Sequence, residues 1–445
     1  MSASGGTPTP VTRLDRSSGE IEHGFPQWLP DGRGFIYYAQ NADPNKSALM
    51  FGRLDESGPS TENRKLASTG MRGLFAPFSG GNGYLLFVRD TILMAQEFRP
   101  SSGQLAGDAI ATPVSGLFAQ SGINGFVPAA AGSNGILATQ SGSPTTQLVL
   151  ADRSGVSIRI LGSSSEYVTP DLSPDGRRLL VSLSDAARGG AVQVWLLDLE
   201  GAPLRRLTFG FRDIFAVWNP LGTEFVFSSL ASGTPNLSRK AVAGTAEAVL
   251  LRPSQVPQFA QDWSKDGGSI VYTEMRPEAS SDLWVHPLRE GAKAFPFLQT
   301  QFNEKQGQFS PEPSGPPKWI AYVSDESGAD QVYVQPFRGV PASGSKYQVT
   351  TSGGNQPRWR GDGKELYFLS PERKMMAVPV KATGDTLEFG TPVPLFQARL
   401  QSSSAARYAY DVSPDGKTFV LVTESESPSS NKINLLVNWE AGLGR

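Results

Sequence analysis

The sequence predicts an all-β protein made of many small sheets of one design. Three observations predict it. A turn of the type Ser-Pro-Asp-Gly recurs along the 445-residue chain at a near-constant interval. Each copy is followed by a short apolar strand, and a further strand begins about ten residues later. No segment of about 12 residues or more shows a convincing 3.6-residue apolar period, so helix content is expected to be very low.

The turn is best preserved at Trp28-Leu-Pro-Asp-Gly32, Leu172-Ser-Pro-Asp-Gly176, Trp263-Ser-Lys-Asp-Gly267, Trp359-Arg-Gly-Asp-Gly363 and Val412-Ser-Pro-Asp-Gly416. Trp218-Asn-Pro-Leu-Gly222 is an eroded copy. Weaker copies are Phe78-Ser-Gly-Gly-Asn-Gly83, Ala131-Gly-Ser-Asn-Gly135 and Phe309-Ser-Pro-Glu-Pro-Ser-Gly315. Proline presets φ, aspartate bonds the backbone two residues on, and glycine takes the positive φ that closes the hairpin. The strands after the turns are Gly34–Gln40, Tyr84–Asp90, Arg178–Ser184, Glu224–Leu230, Ser269–Met275, Trp319–Asp325, Glu365–Pro371 and Thr418–Glu424. Third strands are Ala48–Leu54, Thr91–Phe98, Val192–Leu199, Asp282–Leu288, Gln331–Phe337, Lys374–Val380 and Ile433–Trp439. Short segments such as Arg205–Thr208 and Tyr347–Thr350 close each unit.

Nine anchors result, and their last glycines run from Gly32 to Gly416 with a mean spacing of 48 residues. That length suits four short strands with their turns, as in propeller blades of about 40–50 residues. One such sheet cannot bury both faces, whereas blades standing side by side around an axis cover one another. The anchor tryptophans are expected to fill the space between blades. The predicted fold is therefore a β-propeller of four-stranded antiparallel blades, about nine in number. In one arrangement, residues 1–165 form three degenerate blades and residues 166–445 a six-bladed ring. In the other, all nine close into one large ring, with Val11-Thr-Arg-Leu14 supplying the missing strand of the last blade beside Ile433–Trp439.

Composition narrows the function. Net charge is −2 with dispersed charges, which gives no electrostatic footprint for nucleic acid. The absence of cysteine excludes disulfides, thiol nucleophiles and Cys-based metal centres. The first ten residues carry neither a basic nor an apolar signal-peptide region, and no apolar run approaches the ~20 residues that span a membrane. With 39% hydrophobic residues, the chain can build a large core.

The repeat resembles the PD40, or TolB-type WD40-like, unit. The likeness extends to Gly19-Glu-Ile-Glu-His-Gly-Phe-Pro-Gln-Trp-Leu-Pro-Asp-Gly32, Tyr84-Leu-Leu-Phe-Val-Arg-Asp90, Leu93-Met-Ala-Gln96, Tyr322-Val-Ser-Asp-Glu-Ser-Gly328, Val332-Tyr-Val-Gln-Pro-Phe337, Pro357-Arg-Trp-Arg-Gly-Asp-Gly-Lys-Glu-Leu366 and Val437-Asn-Trp439. These are similar to the C-terminal propeller region of membrane-anchored serine/threonine protein kinases of Acidobacteria and similar soil bacteria. The resemblance covers nearly the whole chain. It implies a sensing or interaction region outside the membrane, behind a kinase domain and one transmembrane helix. It also implies further blades ahead, about twelve in all, and Gly5–Leu14 resembles the tail of such a blade. The kinase motifs themselves are absent from this sequence.

The residue types that could carry chemistry read as structural. His286, in a third strand beside Trp284, reads as a satisfied structural histidine, and His23 matches a family position without an assignable role. Two separated histidines without cysteine make zinc improbable. Tyr322–Gly328 also resembles propellers of the prolyl-oligopeptidase group, but the Gly-x-Ser-x-Gly elbow of their catalytic domain does not occur. An accessory propeller of such a hydrolase, or a propeller enzyme, is the alternative reading. Asp171 and Asp175 read as Asx-turn residues, and Ser413-Pro-Asp-Gly-Lys-Thr-Phe419 as a folding signature one residue short of an Asp-box. Arg358, Arg360 and Lys364 read as solvated turn charge, with an anionic ligand as second choice. The expectation is a non-enzymatic module that binds a protein, peptide or small molecule on a propeller face or in the central channel. It needs no cofactor, metal, nucleic acid or membrane insertion, and no ligand-binding residue is singled out.

Overall fold

The well-formed anchors close their hairpins in one way. In the turn after Leu172, Arg177 N donates to Asp175 Oδ1 at 3.0 Å and Arg178 N to Ser173 Oγ at 2.9 Å. The equivalent bonds recur from Gly268 N to Asp266 and from Lys417 N to Asp415, at 3.0 and 3.1 Å. Gly176, Gly267 and Gly416 sit at φ of 70°, 78° and 71°, where an L side chain is strained.

The computed structural model describes residues 10–443 apart from 42–45, 56–57, 60–62, 79–81, 90–91, 116, 118–128, 133, 141–145, 186–190, 202, 211, 277–279, 401–407 and 426–432. Every regular element described is a strand, except single 3-10 turns such as Trp439–Gly442. No helix among the described residues is long and apolar enough to cross a membrane. The chain forms two compact units: residues 1–144, 185–191 and 426–445, and residues 145–184 and 192–425.

In the second unit, four sheets are consecutive antiparallel four-strand meanders beginning at Asp213–Trp218, Gln258–Trp263, Glu304–Phe309 and Asn355–Trp359. The last of these carries an extra hairpin strand, Thr386–Phe389. The remaining strands form one seven-stranded sheet that is two blades joined by a shared strand, Ser157–Leu172. Its residues 166–172 pair with Arg178–Asp185, as the innermost strand of the first blade. Its residues 157–165 pair with Thr146–Asp152, which in turn pairs with Thr418–Glu424 and completes the sixth blade. Gly162, at φ 71°, lies near the changeover.

Buried clusters fill each junction between successive sheets. Leu180, Trp218 and Phe225 join the first to the second, and Val226, Trp263 and Ile270 the second to the third. Phe309 and Val285 join the third to the fourth, and Trp319, Trp359 and Leu366 the fourth to the fifth. Tyr367, Tyr410 and Phe419 join the fifth to the sixth. Leu148, Val420, Leu179 and Val181 return from the sixth to the first. Sheets that bury their faces pairwise in a closed circuit have one architecture. The fold is a β-propeller.

The first unit holds two further meanders of four main strands, Glu20–Trp28 to Arg64–Ser68, which carries an extra short strand Gly58–Pro59, and Leu74–Pro77 to Gln104–Ala111. Ile36, Phe51, Phe75, Leu85 and Phe98 pack between them. Its third sheet is Ala129–Ala131, Ile136–Gln140 and Ile433–Val437. This corrects the expected place of Ile433–Trp439 as third strand of the last blade. Leu436 and Trp439 instead bury against a cluster containing Leu137 and Leu86, and Thr146–Asp152 takes the vacated position beside Thr418–Glu424. Val11–Leu14 forms no strand, so the expected ring of nine closed by that segment is not what the pairings give. The tryptophan expectation divides: Trp218, Trp263 and Trp359 are buried between blades, whereas Trp28 is 57% exposed and meets Phe35 edge-on.

Candidate functional site

The innermost strands of the second unit are not regular. Five carry a register shift, between Tyr167/Pro170, Ile214/Val217, Ala260/Asp262, Lys305/Gln308 and Asn355/Arg358. Phe215, Gln306 and Gln356 occupy left-handed φ of 56–57° in these bulges. A non-glycine residue there costs free energy, which persists only where the surroundings fix it. Here the fixing contacts are visible. Gln306 Oε1 accepts from Gln356 N at 2.8 Å, and Gln356 Oε1 from Ala409 N at 2.7 Å, each bond joining one blade to the next.

At or just after the end of each bulge, and at the matching place in the sixth blade, stands the residue that precedes the anchor aromatic or aliphatic side chain: Asp171, Val217, Asp262, Gln308, Arg358 and Asp411. Three of these are aspartates that take a backbone N–H of the following blade. Trp218 N donates to Asp171 Oδ2 at 2.9 Å, Phe309 N to Asp262 Oδ2 at 2.8 Å, and Leu172 N to Asp411 Oδ2 at 2.6 Å. The last of these bonds seals the sixth blade to the first. Arg358 supplies the countercharge, with Nη1 3.5 Å from Asp171 Oδ1 and Nε 3.4 Å from Asp411 Oδ1. It also donates to Gln308 Oε1 at 3.3 Å and lies 4.1 Å over the Tyr408 ring.

Asp171, Asp411 and Arg358 are buried, and Asp262 is half-buried. Burial, reinforced by the nearby Asp411, pushes the Asp171 carboxyl well above the ordinary range despite Arg358. Burial also raises Asp262 to about 7, opposed by its bond from Phe309 N and by Arg358. The guanidinium of Arg358 stays charged, because Asp411 and Asp171 outweigh the cost of its burial. One cation therefore faces three carboxyl groups, and burial favours the neutral forms of Asp171 and Asp262. Chemically, the centre is a proton-adjustable clasp between blades.

This overturns two expectations. Arg358 is not solvated turn charge: it lies on an innermost strand, inside the clasp. Arg360 and Lys364 do lie at the turn, where Arg360 pairs with Asp362 at 2.6 Å and Glu365 at 2.9 Å. Asp175 is an Asx-turn residue as expected, but Asp171 is an inter-blade acceptor. The signal that locates the clasp is positional, since a polar residue immediately before the anchor recurs in five of the last six repeats.

The histidines lie elsewhere. His286 is half-buried in its strand, and burial together with Arg252 lowers its pKa. His23 Nε2 lies 3.0 Å from Glu20 and its ring 4.9 Å from that of Tyr37. Among the described residues no group of three acidic or histidine side chains is placed to hold a metal.

No family model matches the chain, and no curated protein matches its sequence. Among solved structures it is similar to a putative TolB from Agrobacterium tumefaciens, at 18% identity over 64% of this chain and 100% of that one, with a TM-score of 0.48. It is similar to an oligogalacturonate lyase from Vibrio parahaemolyticus at 13% identity, over 73% of this chain and 82% of that one, with a TM-score of 0.41. The β-propeller domain of the Trilobed protease from Pyrococcus furiosus, which has an open velcro topology, aligns at 10% identity over 84% of this chain and 98% of that one, with a TM-score of 0.35.

Proposed function

We propose that this chain is a non-enzymatic binding module, a rigid propeller frame whose face loops hold a protein, peptide or small molecule. In the context its sequence resembles, it is the sensing part of a receptor-kinase-type protein. The observation that carries this reading is the use made of the axial charges. Asp171, Asp262 and Asp411 each hold the backbone of the next blade, and Arg358 ties two of them together. Groups committed in this way serve rigidity. A rigid frame presents its loops at little ordering cost, which favours recognition. The test is incubation of the purified chain with panels of peptide, ester and glycan substrates. The expected outcome is no turnover. Turnover that survives repurification and is lost when the chain is unfolded overturns the reading.

A further inference from the structure

Phe209 stands in the connection that leads into the second blade of the second unit, and it is 69% exposed. Its exposure is imposed by its neighbours. Before it, Thr208 Oγ1 accepts from Val194 N at 3.0 Å, and its hydroxyl bonds Asp213. After it, Gly210 N donates to Asp213 Oδ2 at 3.1 Å while Gly210 O accepts from Gln193 Nε2 at 3.1 Å. Asp213, buried beneath the connection, is held in turn by Ser229 Oγ at 2.6 Å. A backbone pinned on both sides of one residue keeps that ring out of the core, against the apolar burial it would otherwise gain.

The ring does not face open solvent alone. It borders a cavity of about 570 Å³ whose lining includes Phe227, Ser229, Ser238, Lys240, Glu247 and Leu250. That volume falls within the roughly 300–1,000 Å³ of small-molecule sites. The guanidinium of Arg206 lies 4.3 Å over the Phe209 ring, which stiffens it further. Charge along the cavity lining is balanced. Lys240 is matched by Glu247, while burial shifts Asp213 toward its neutral form, with its hydroxyl and backbone donors opposing. Neither a strong anion nor a strong cation is favoured. A fixed aromatic plate beside hydroxyl, ammonium and carboxylate groups suits a flat C–H surface edged with hydroxyls.

We infer that this cavity is a binding site for a neutral saccharide, with one pyranose ring stacked on Phe209. The inference rests on the binding-module reading and gives it a ligand class. Its test is saturation-transfer NMR of the full chain with glucose, galactose, mannose, N-acetylglucosamine and their 1,4-linked disaccharides. The expected result is transfer to the ring C–H protons of at least one sugar. Phe209→Ala should weaken that binding about tenfold or more at unchanged melting temperature, because the side chain is exposed, and Phe209→Trp should retain it. Absence of transfer from every sugar, or equal transfer with Phe209→Ala, overturns the site while leaving the binding-module reading standing. New sugar signals appearing during incubation reveal turnover and overturn the reading beneath it.

Discussion

The two units fasten their blades at the same place with different chemistry. In the first unit, Gln27 precedes the anchor Trp28 and reaches the next blade with both ends of its amide. It donates to Phe75 O at 3.2 Å and accepts from Phe75 N at 2.8 Å. In the second unit the same position holds Asp171, Asp262 and Asp411, with Arg358 among them. The position before the anchor is thus a stapling position wherever a polar residue occupies it. An amide staple is self-sufficient and insensitive to pH. Carboxylate staples need a cation and protons to survive burial, so they make one unit electrostatically conditional.

Removing the cation tests this contrast most severely. Arg358→Met leaves buried carboxyl groups without their partner and should destabilise the second unit by about 3–5 kcal/mol. Gln27→Met orphans two backbone groups and should cost the first unit about 1–3 kcal/mol. Urea titrations of both variants near neutral pH measure the difference. Equal losses would remove the electrostatic half of the comparison.

Trp218→Ala should cost about 3–5 kcal/mol by emptying a blade junction, whereas the exposed Trp28→Ala should cost less than about 1 kcal/mol. Thermal melts of the pair decide whether the anchor aromatic is equally structural in both units.

A finer distinction lies in pH. The folded protein holds a proton at Asp262 up to about pH 7, whereas the unfolded chain releases it near 3.8. Across that window the native state binds more protons than the unfolded one, so stability from this group is full below the lower value and declines as pH rises to the upper one. Asp262→Asn should flatten the decline and make the variant relatively more stable at pH 8 than at pH 5. Chemical denaturation at the two pH values checks this, and an unchanged slope would mean the proton is held elsewhere. The Gln27 staple predicts no such dependence.

The turns and the second strands were legible because their signals are local. Asp175 and Gly176 need only their own neighbours to form a tight hairpin, and the apolar run after Arg178 is a buried strand wherever it goes. Arg358 was misread for the complementary reason. A charged residue beside a turn looks solvated until closure brings Asp171 and Asp411 against it from strands far away in sequence. The same limit hid the partner of Ile433–Val437. Its choice between two available edges depends on burying Trp439, which no local pattern encodes. Phe209 was invisible as a site because only the pinned backbone around it reveals that its exposure is enforced.

The sixth blade has a temporal meaning as well as a spatial one. Its central pairing joins residues such as Gln147 and Thr423, 276 positions apart along the polypeptide. At about 5–20 residues per second of synthesis, the earlier segment waits for tens of seconds on the ribosome before its partner emerges. During that interval five blades can assemble as an open arc with two raw ends, the state in which this protein is most exposed to mispairing and to proteases.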